Sequence, residues 1–321
     1  MLRSSKGDAS AVAERARYSC RVRYADLKTD LDALIEKAVG AVAASSSAPD
    51  AILGDFLGLA SRIRAVSFHE GRLLEQAIAA IGQRNPDLVV LSQALKLPVT
   101  PAALEAVAHN RSGTLKGLSF DADARTRLSY TPDLVLVNQR YASAIVLDVK
   151  RSVASYLDTH RLTELKTKML ATSLILPDWL YKEHKRLTVD SVGIAIVDGA
   201  SGKSDHANGI WSLSEIDDLL EIDSAADAMT ELRGRFGTRI RALLEAETRR
   251  LVGTDTILPP NCIVDPTTTP YDDEVGDGSA FAGFASANIS ASSRSGNHFR
   301  ADRPPLPRDI RFGFARARLH H

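Results

Sequence analysis

LSYTPDLVLVNQRYASAIVLDVKR, residues 128–151, holds two short apolar runs separated by a polar turn around Gln139-Arg140. Both runs are rich in Val, Ile and Leu and too short for helices, so the spacing predicts a β-hairpin. Pro132-Asp133 opens the first strand, Leu134-Val135-Leu136-Val137. The second strand, Ala144-Ile145-Val146-Leu147, delivers Asp148-Val149-Lys150, fifteen residues after Asp133. Side chains alternate faces along a strand, so Asp148 and Lys150 point one way and Val149 the other. Carboxylates from adjacent strands then converge on one point with an ammonium beside them. Hard divalent cations such as Mg²⁺ take carboxylate and carbonyl oxygens in such a setting. There a cation polarises phosphate and lowers the pKa of water.

Outward from the hairpin, helical and strand-like signals alternate. Upstream, Ala25 to Ala44 and the run from Ala51 to about Ser67 have helical spacing, with a break at 45–49 (SSSAP). GRLLEQAIAAIGQRN, from Gly71, reads as a further helix stopped by Asn85-Pro86. Residues 88–110 read as mostly helical, with Thr100 as N-cap and Pro101 at the first helical position. Downstream come a helical stretch from Ser152 to Leu174, a strand within 187–199 and helices from about Ser214 to Leu251. This order predicts an α/β fold, a mixed sheet covered by helices on both faces.

Glu75 in GRLLEQAIAAI, Asp133 in TPDLVLV, and Asp148 with Lys150 in IVLDVK together resemble the PD-(D/E)xK nuclease superfamily. The resemblance covers residues 68–200 and implies a restriction-endonuclease-like αβββαβ core. A helical N-terminal region (1–67) precedes that core, and helices over 201–251 pack on it. The implied activity is Mg²⁺-dependent endonucleolytic hydrolysis of DNA, with Mn²⁺ as a substitute. Asp133, Asp148, Glu75 and the Val149 carbonyl would hold the metal, and Lys150 would assist the attacking water. The triplet also occurs elsewhere, as at Asp26-Leu27-Lys28 and Glu164-Leu165-Lys166, so the string alone discriminates little. Its context does: only Asp148 follows four apolar strand residues with Asp133 at hairpin distance. Glu70 lies on the same helix as Glu75, and the apolar neighbours Leu74 and Ile78 favour Glu75. No Gln-x-x-x-Tyr follows Lys150, which argues against the RecB-like exonuclease branch.

The chain has 40 Lys+Arg against 40 Asp+Glu, a zero net charge that excludes a histone-like polycation. Local distribution says more than the total. Arg151, Arg161, Lys166, Lys168, Lys182, Lys185 and Arg186 follow the catalytic triplet and are expected to contact DNA phosphates. Residues 252–321 lack periodicity, turning from acidic to Arg-rich, and are expected to form a disordered tail or to fold on a partner. Arg there interleaves with Phe299, Phe312 and Phe314, a composition shared by nucleic-acid-binding and protein-docking segments. Two distant cysteines exclude a disulfide scaffold and a Cys-based metal cluster. No apolar run reaches the roughly 18 residues of a membrane span, and the opening residues lack the apolar core of a secretory signal. A cytoplasmic protein is expected, as monomer or homodimer. Two other readings stay open: a strand-nicking enzyme of plasmid mobilisation, repair or phage defence, and a catalytically silent nuclease-fold protein that binds DNA.

Overall fold

The computed structural model describes residues 16–45, 51–92, 95–110, 115–116, 120–123, 126–154, 160–200, 202–252 and 310–316. The strands and helices are, in chain order, β1 (Cys20–Arg21), α1 (Lys28–Ala44), α2 (Phe56–Gly82), β2 (Leu88–Ser92), β3 (Leu97–Pro98), α3 (Pro101–His109), β4 (Leu115–Lys116), β5 (Ser129–Tyr130), β6 (Leu134–Asn138), β7 (Ser143–Lys150), α4 (His160–Ser173), α5 (Leu176–Glu183), β8 (Ser191–Asp198), β9 (Ile210–Ser212), α6 (Ile216–Leu220), β10 (Ile222–Asp223), α7 (Ala225–Val252) and β11 (Arg311–Phe314). The main sheet has the order β2-β6-β7-β8-β11-β4, with β9 added beside β8. β2, β6 and β7 form an antiparallel meander, while β8 runs parallel to β7 and β11 parallel to β8. The hairpin is present as the sequence predicts, and every residue of β6 is buried.

Burial on both faces explains why β6 reads as an unbroken apolar run. Alternate residues serve separate cores. Leu134, Leu136, Leu147 and Val149 join α1, α2 and α7 on one face. Val135, Val137, Ala144 and Val146 join α3, α4 and α5 on the other. The architecture is therefore a mixed α/β sheet flanked by helices. No helix among the described residues is long and apolar enough to cross a membrane.

Several expectations need correction. The division drawn at residue 67 falls inside α2, which continues through Gly71. A helical glycine costs only about 1 kcal/mol, too little to break a helix whose later turns pack so well. The same apolar cluster joins α1, α2 and α7 to the sheet, so the first helices are part of the core. Residues 88–92, expected to be helical, form β2. Their run Leu88-Val89-Val90-Leu91 pairs along its whole length with β6, and that pairing outweighs a weak local preference. Of the helical stretch expected from Ser152, α4 (His160–Ser173) is present, and 155–159 lie outside the described residues.

Near the C-terminus, 253–309 and Phe299 lie outside the described residues, but 311–314 form an inner strand. Ile310 and Phe312 are 2% exposed whereas Arg311 faces solvent, the alternation of a strand. Phe312 thus belongs to the core and offers no stacking surface. Its truncation to alanine is expected to cost about 3–5 kcal/mol in urea denaturation; a loss below about 1 kcal/mol would place β11 outside the folding unit.

Candidate active site at the ends of β6 and β7

Antiparallel register pairs Leu134 with Leu147, so the next position outward sets Asp133 directly opposite Asp148 on the same sheet face. Asp133 accepts a hydrogen bond from the Val149 N–H at 2.7 Å. Asp148, only 3% exposed, accepts one from the Tyr130 hydroxyl at 2.7 Å. Its other carboxylate oxygen forms an ion pair with the Lys150 ammonium. Val149 therefore meets the site through its amide, and its carbonyl, which leaves the strand on the same side as that amide, faces the same edge.

Glu75 lies on α2 in the other helical layer, where the charges of Lys150 and Asp148 act on it. Leu74, its neighbour, presses on Gly199, where a Cβ would come within 2.7 Å of the leucine methyl and 3.1 Å of the Lys150 and Arg151 carbonyls. The Gly199 N–H also donates to the Lys150 carbonyl at 2.8 Å. A missing side chain at 199 is thus what lets α2 approach the end of β7. Glu70 has a different task. It accepts from Arg151 at 2.9 Å and from Arg233 at 2.9 Å, clamping α2 to the chain after β7 and to α7. Glu75 instead feels the charges of Lys150 and Asp148.

Electrostatically the site is crowded. Burial, followed by the Asp148 charge, raises the Asp133 pKa well above the usual carboxylate range; Lys150 and the Val149 amide oppose this, and Glu75 adds to it. Burial likewise raises Glu75, with Lys150 and Arg72 pulling the other way. Burial and the Asp148 charge push the Tyr130 phenol well up, so it stays a protonated donor. Among the described residues no group of three or more His, Cys, Asp and Glu side chains is gathered to hold a metal ion. The donor set at hand is narrower, two opposed carboxylates with Glu75 behind them. That set suits Mg²⁺, which keeps several waters and commonly uses one or two carboxylates. The Lys150 ammonium on Asp148 occupies the place of a positive charge.

Two contributors escape sequence reasoning. Tyr130 lies just upstream of Pro132-Asp133 on β5, which pairs with β3 and not with the hairpin; the only cue is its position. Asp198, aligned with Lys150 in the β7–β8 register, accepts from the amides of Val153, Ala200 and Gly202. It ties off the loops after both strands.

The basic residues scatter. Arg151 is paired with Glu70, and Lys168 with Glu164 at 2.7 Å. Lys182 sits among Asp121, Asp123 and Asp178. Lys166 is half-buried, its pKa lowered by burial against the pull of Asp205. Lys185 and Arg186, both in left-handed conformations, precede β8 at the hairpin-turn end, where the Asp190 amide donates to the Ala142 carbonyl. A full strand, about 23 Å, separates them from the site. Arg161, exposed in the first turn of α4, lies toward the site end, because the β7-to-β8 crossover must run back along the sheet.

Compared with protein-family models, curated proteins and solved structures, the chain matches none.

Two stability measurements test this geometry. Tyr130→Phe leaves a buried Asp148 oxygen without its donor and is expected to cost about 1–3 kcal/mol in urea denaturation; a loss under about 0.5 kcal/mol would deny the hydrogen bond. Asp133→Asn keeps an acceptor for Val149 and removes the crowded charge. A carboxyl raised on folding binds protons that the unfolded chain releases, so its burden on stability appears as pH rises above the ordinary carboxylate value. Metal-free Asp133→Asn is therefore expected to exceed wild type by about 1 kcal/mol or more at pH 8, and the gap should close toward pH 4. Equal melting at pH 8 would contradict the crowding.

Proposed function

We propose that the chain is a Mg²⁺-dependent DNA endonuclease of the PD-(D/E)xK type, with β6, β7 and α2 forming its restriction-endonuclease-like centre. The observation carrying this reading is the convergence of Asp133, Asp148 and Lys150 at one end of a mixed sheet, with Glu75 on α2 within reach of their charges. These are residues that the resemblance names for metal binding and for assisting the attacking water. Asp133 and Asp148 would hold the cation with Glu75 in support, and Mn²⁺ would substitute. Bound there, the cation supplies charge to polarise a scissile phosphate.

The chain's own groups do the rest. Tyr130 fixes the Asp148 carboxylate in one orientation and keeps one of its oxygens committed. Lys150, on the same face as Asp148, can leave its ion pair for a substrate phosphate or for water, holding negative charge as it develops on phosphorus. Glu75, made more basic by burial, can accept a proton or orient water. Asp198 and Gly199 keep Lys150 and Leu74 in register behind these groups.

Asp148→Ala and Lys150→Ala are each expected to lower cleavage of supercoiled plasmid by about 100-fold or more, with circular dichroism unchanged. Open circle without linear product would identify a nicking enzyme. Wild-type protein that leaves supercoiled, linear and single-stranded DNA intact with both Mg²⁺ and Mn²⁺ would refute the nuclease reading.

A further inference from the structure

Helix α2 is two helices in character. Between Leu73 and Gly82 most side chains are buried, whereas none from Phe56 to Arg72 is fully buried. The Glu70–Arg151 contact ties α2 to the chain just after β7; residues 56–69, an overhang of about 20 Å of helix before it, touch the core only partly, through Ala65 and Val66. The last turns of α7 accompany this overhang through Glu247, which holds Arg62 and Arg250.

Along one side of the overhang lie Arg64, Phe68, Arg72 and Glu75, at steps of four, four and three residues that keep them on one helix face. Arg64 and Arg72 are exposed, and Phe68 is 59% exposed. The Arg72 guanidinium lies 5.9 Å from the Phe68 ring centre, and the His69 ring meets that ring edge-on. Among the described residues Arg72 makes no ion pair at contact distance, and its charge acts on Glu75. Gly71, between these residues, leaves open space where a side chain would stand.

A large ring set in water between two arginines, two helical turns from a proposed catalytic acid, calls for a flat partner flanked by negative charge. Unpaired nucleotides match both needs: a base offers its face to the ring and its phosphates meet the arginines. Paired bases keep their faces inside the stack. We infer that the Arg64-Phe68-Arg72 stripe is a platform that stacks an unpaired base and leads single-stranded nucleic acid to Glu75. This deepens the nuclease reading, on which it rests, by naming the substrate class as DNA with unpaired nucleotides beside the cleavage point.

Anisotropy of a labelled 12-nucleotide oligo-dT and of a labelled duplex, both in EDTA, tests this without any cleavage. Phe68→Ala is expected to weaken oligo-dT binding by about tenfold or more while duplex affinity stays within about twofold, and Phe68→Trp to restore it. No oligo-dT binding by the wild type, or equal losses on both probes, would overturn the inference. So would a wild-type dimer that dissociates on Phe68→Ala with oligo-dT binding unchanged, which would assign the ring to self-association. Metal-dependent cleavage by wild type, measured in parallel, separates the outcomes: its absence counts against the nuclease, whereas unchanged oligo-dT binding by Phe68→Ala counts against the platform alone.

Discussion

Two carboxylates held directly across an antiparallel pair, where water reaches poorly, repel one another unless a positive charge stands between them. Asp133 and Asp148 are in that position because the hairpin register puts them there. Glu75 adds to that repulsion, and the other groups nearby answer it. Lys150 supplies a positive charge from the same strand face. The Tyr130 hydroxyl and the Val149 amide supply donors. Burial still wins at Asp133, whose carboxyl is pushed well upward. Stability alone gives no reason to gather such a set, which is why we propose it as a place for a cation and its substrate.

The surrounding fold makes this unfavourable cluster affordable by bracing it from outside. α2 approaches the end of β7 only because Gly199 has no side chain to obstruct Leu74, and the ion pairs of Glu70 with Arg151 and Arg233 hold it there. Asp198 anchors the loops leaving β7 and β8 through main-chain amides. These groups are fully occupied, so they cannot also serve chemistry. The same accounting separates Glu75 from Glu70.

The hairpin and its acids were legible because strand alternation and a short connection fix their geometry within a single contiguous stretch. Fold class followed from the same alternation of apolar patterns. What the sequence hid depends on distant partners. β2 lies in a run whose local pattern favoured helix, and only pairing with β6 shows it to be a strand. β11 follows a long segment of tail-like composition and finds its partners in β8 and β4. The Ile310-Arg311-Phe312 alternation was a cue, overshadowed by the surrounding Arg and Pro. Tyr130 could not be singled out, because its role comes from the path of β5 past Asp148 and not from any spacing. The basic residues after Lys150 look contiguous in sequence, but the crossover spreads them from one end of the sheet to the other.

The central claim, that the crowded pair of carboxylates is a cation site, is most directly tested by Mn²⁺ binding to the metal-free chain at pH 8, read by electron paramagnetic resonance. The account predicts saturable, stoichiometric binding by wild type that is lost in Asp133→Asn and in Asp148→Asn. Wild type that leaves all Mn²⁺ free at millimolar concentration, or variants that bind it as wild type does, would contradict it.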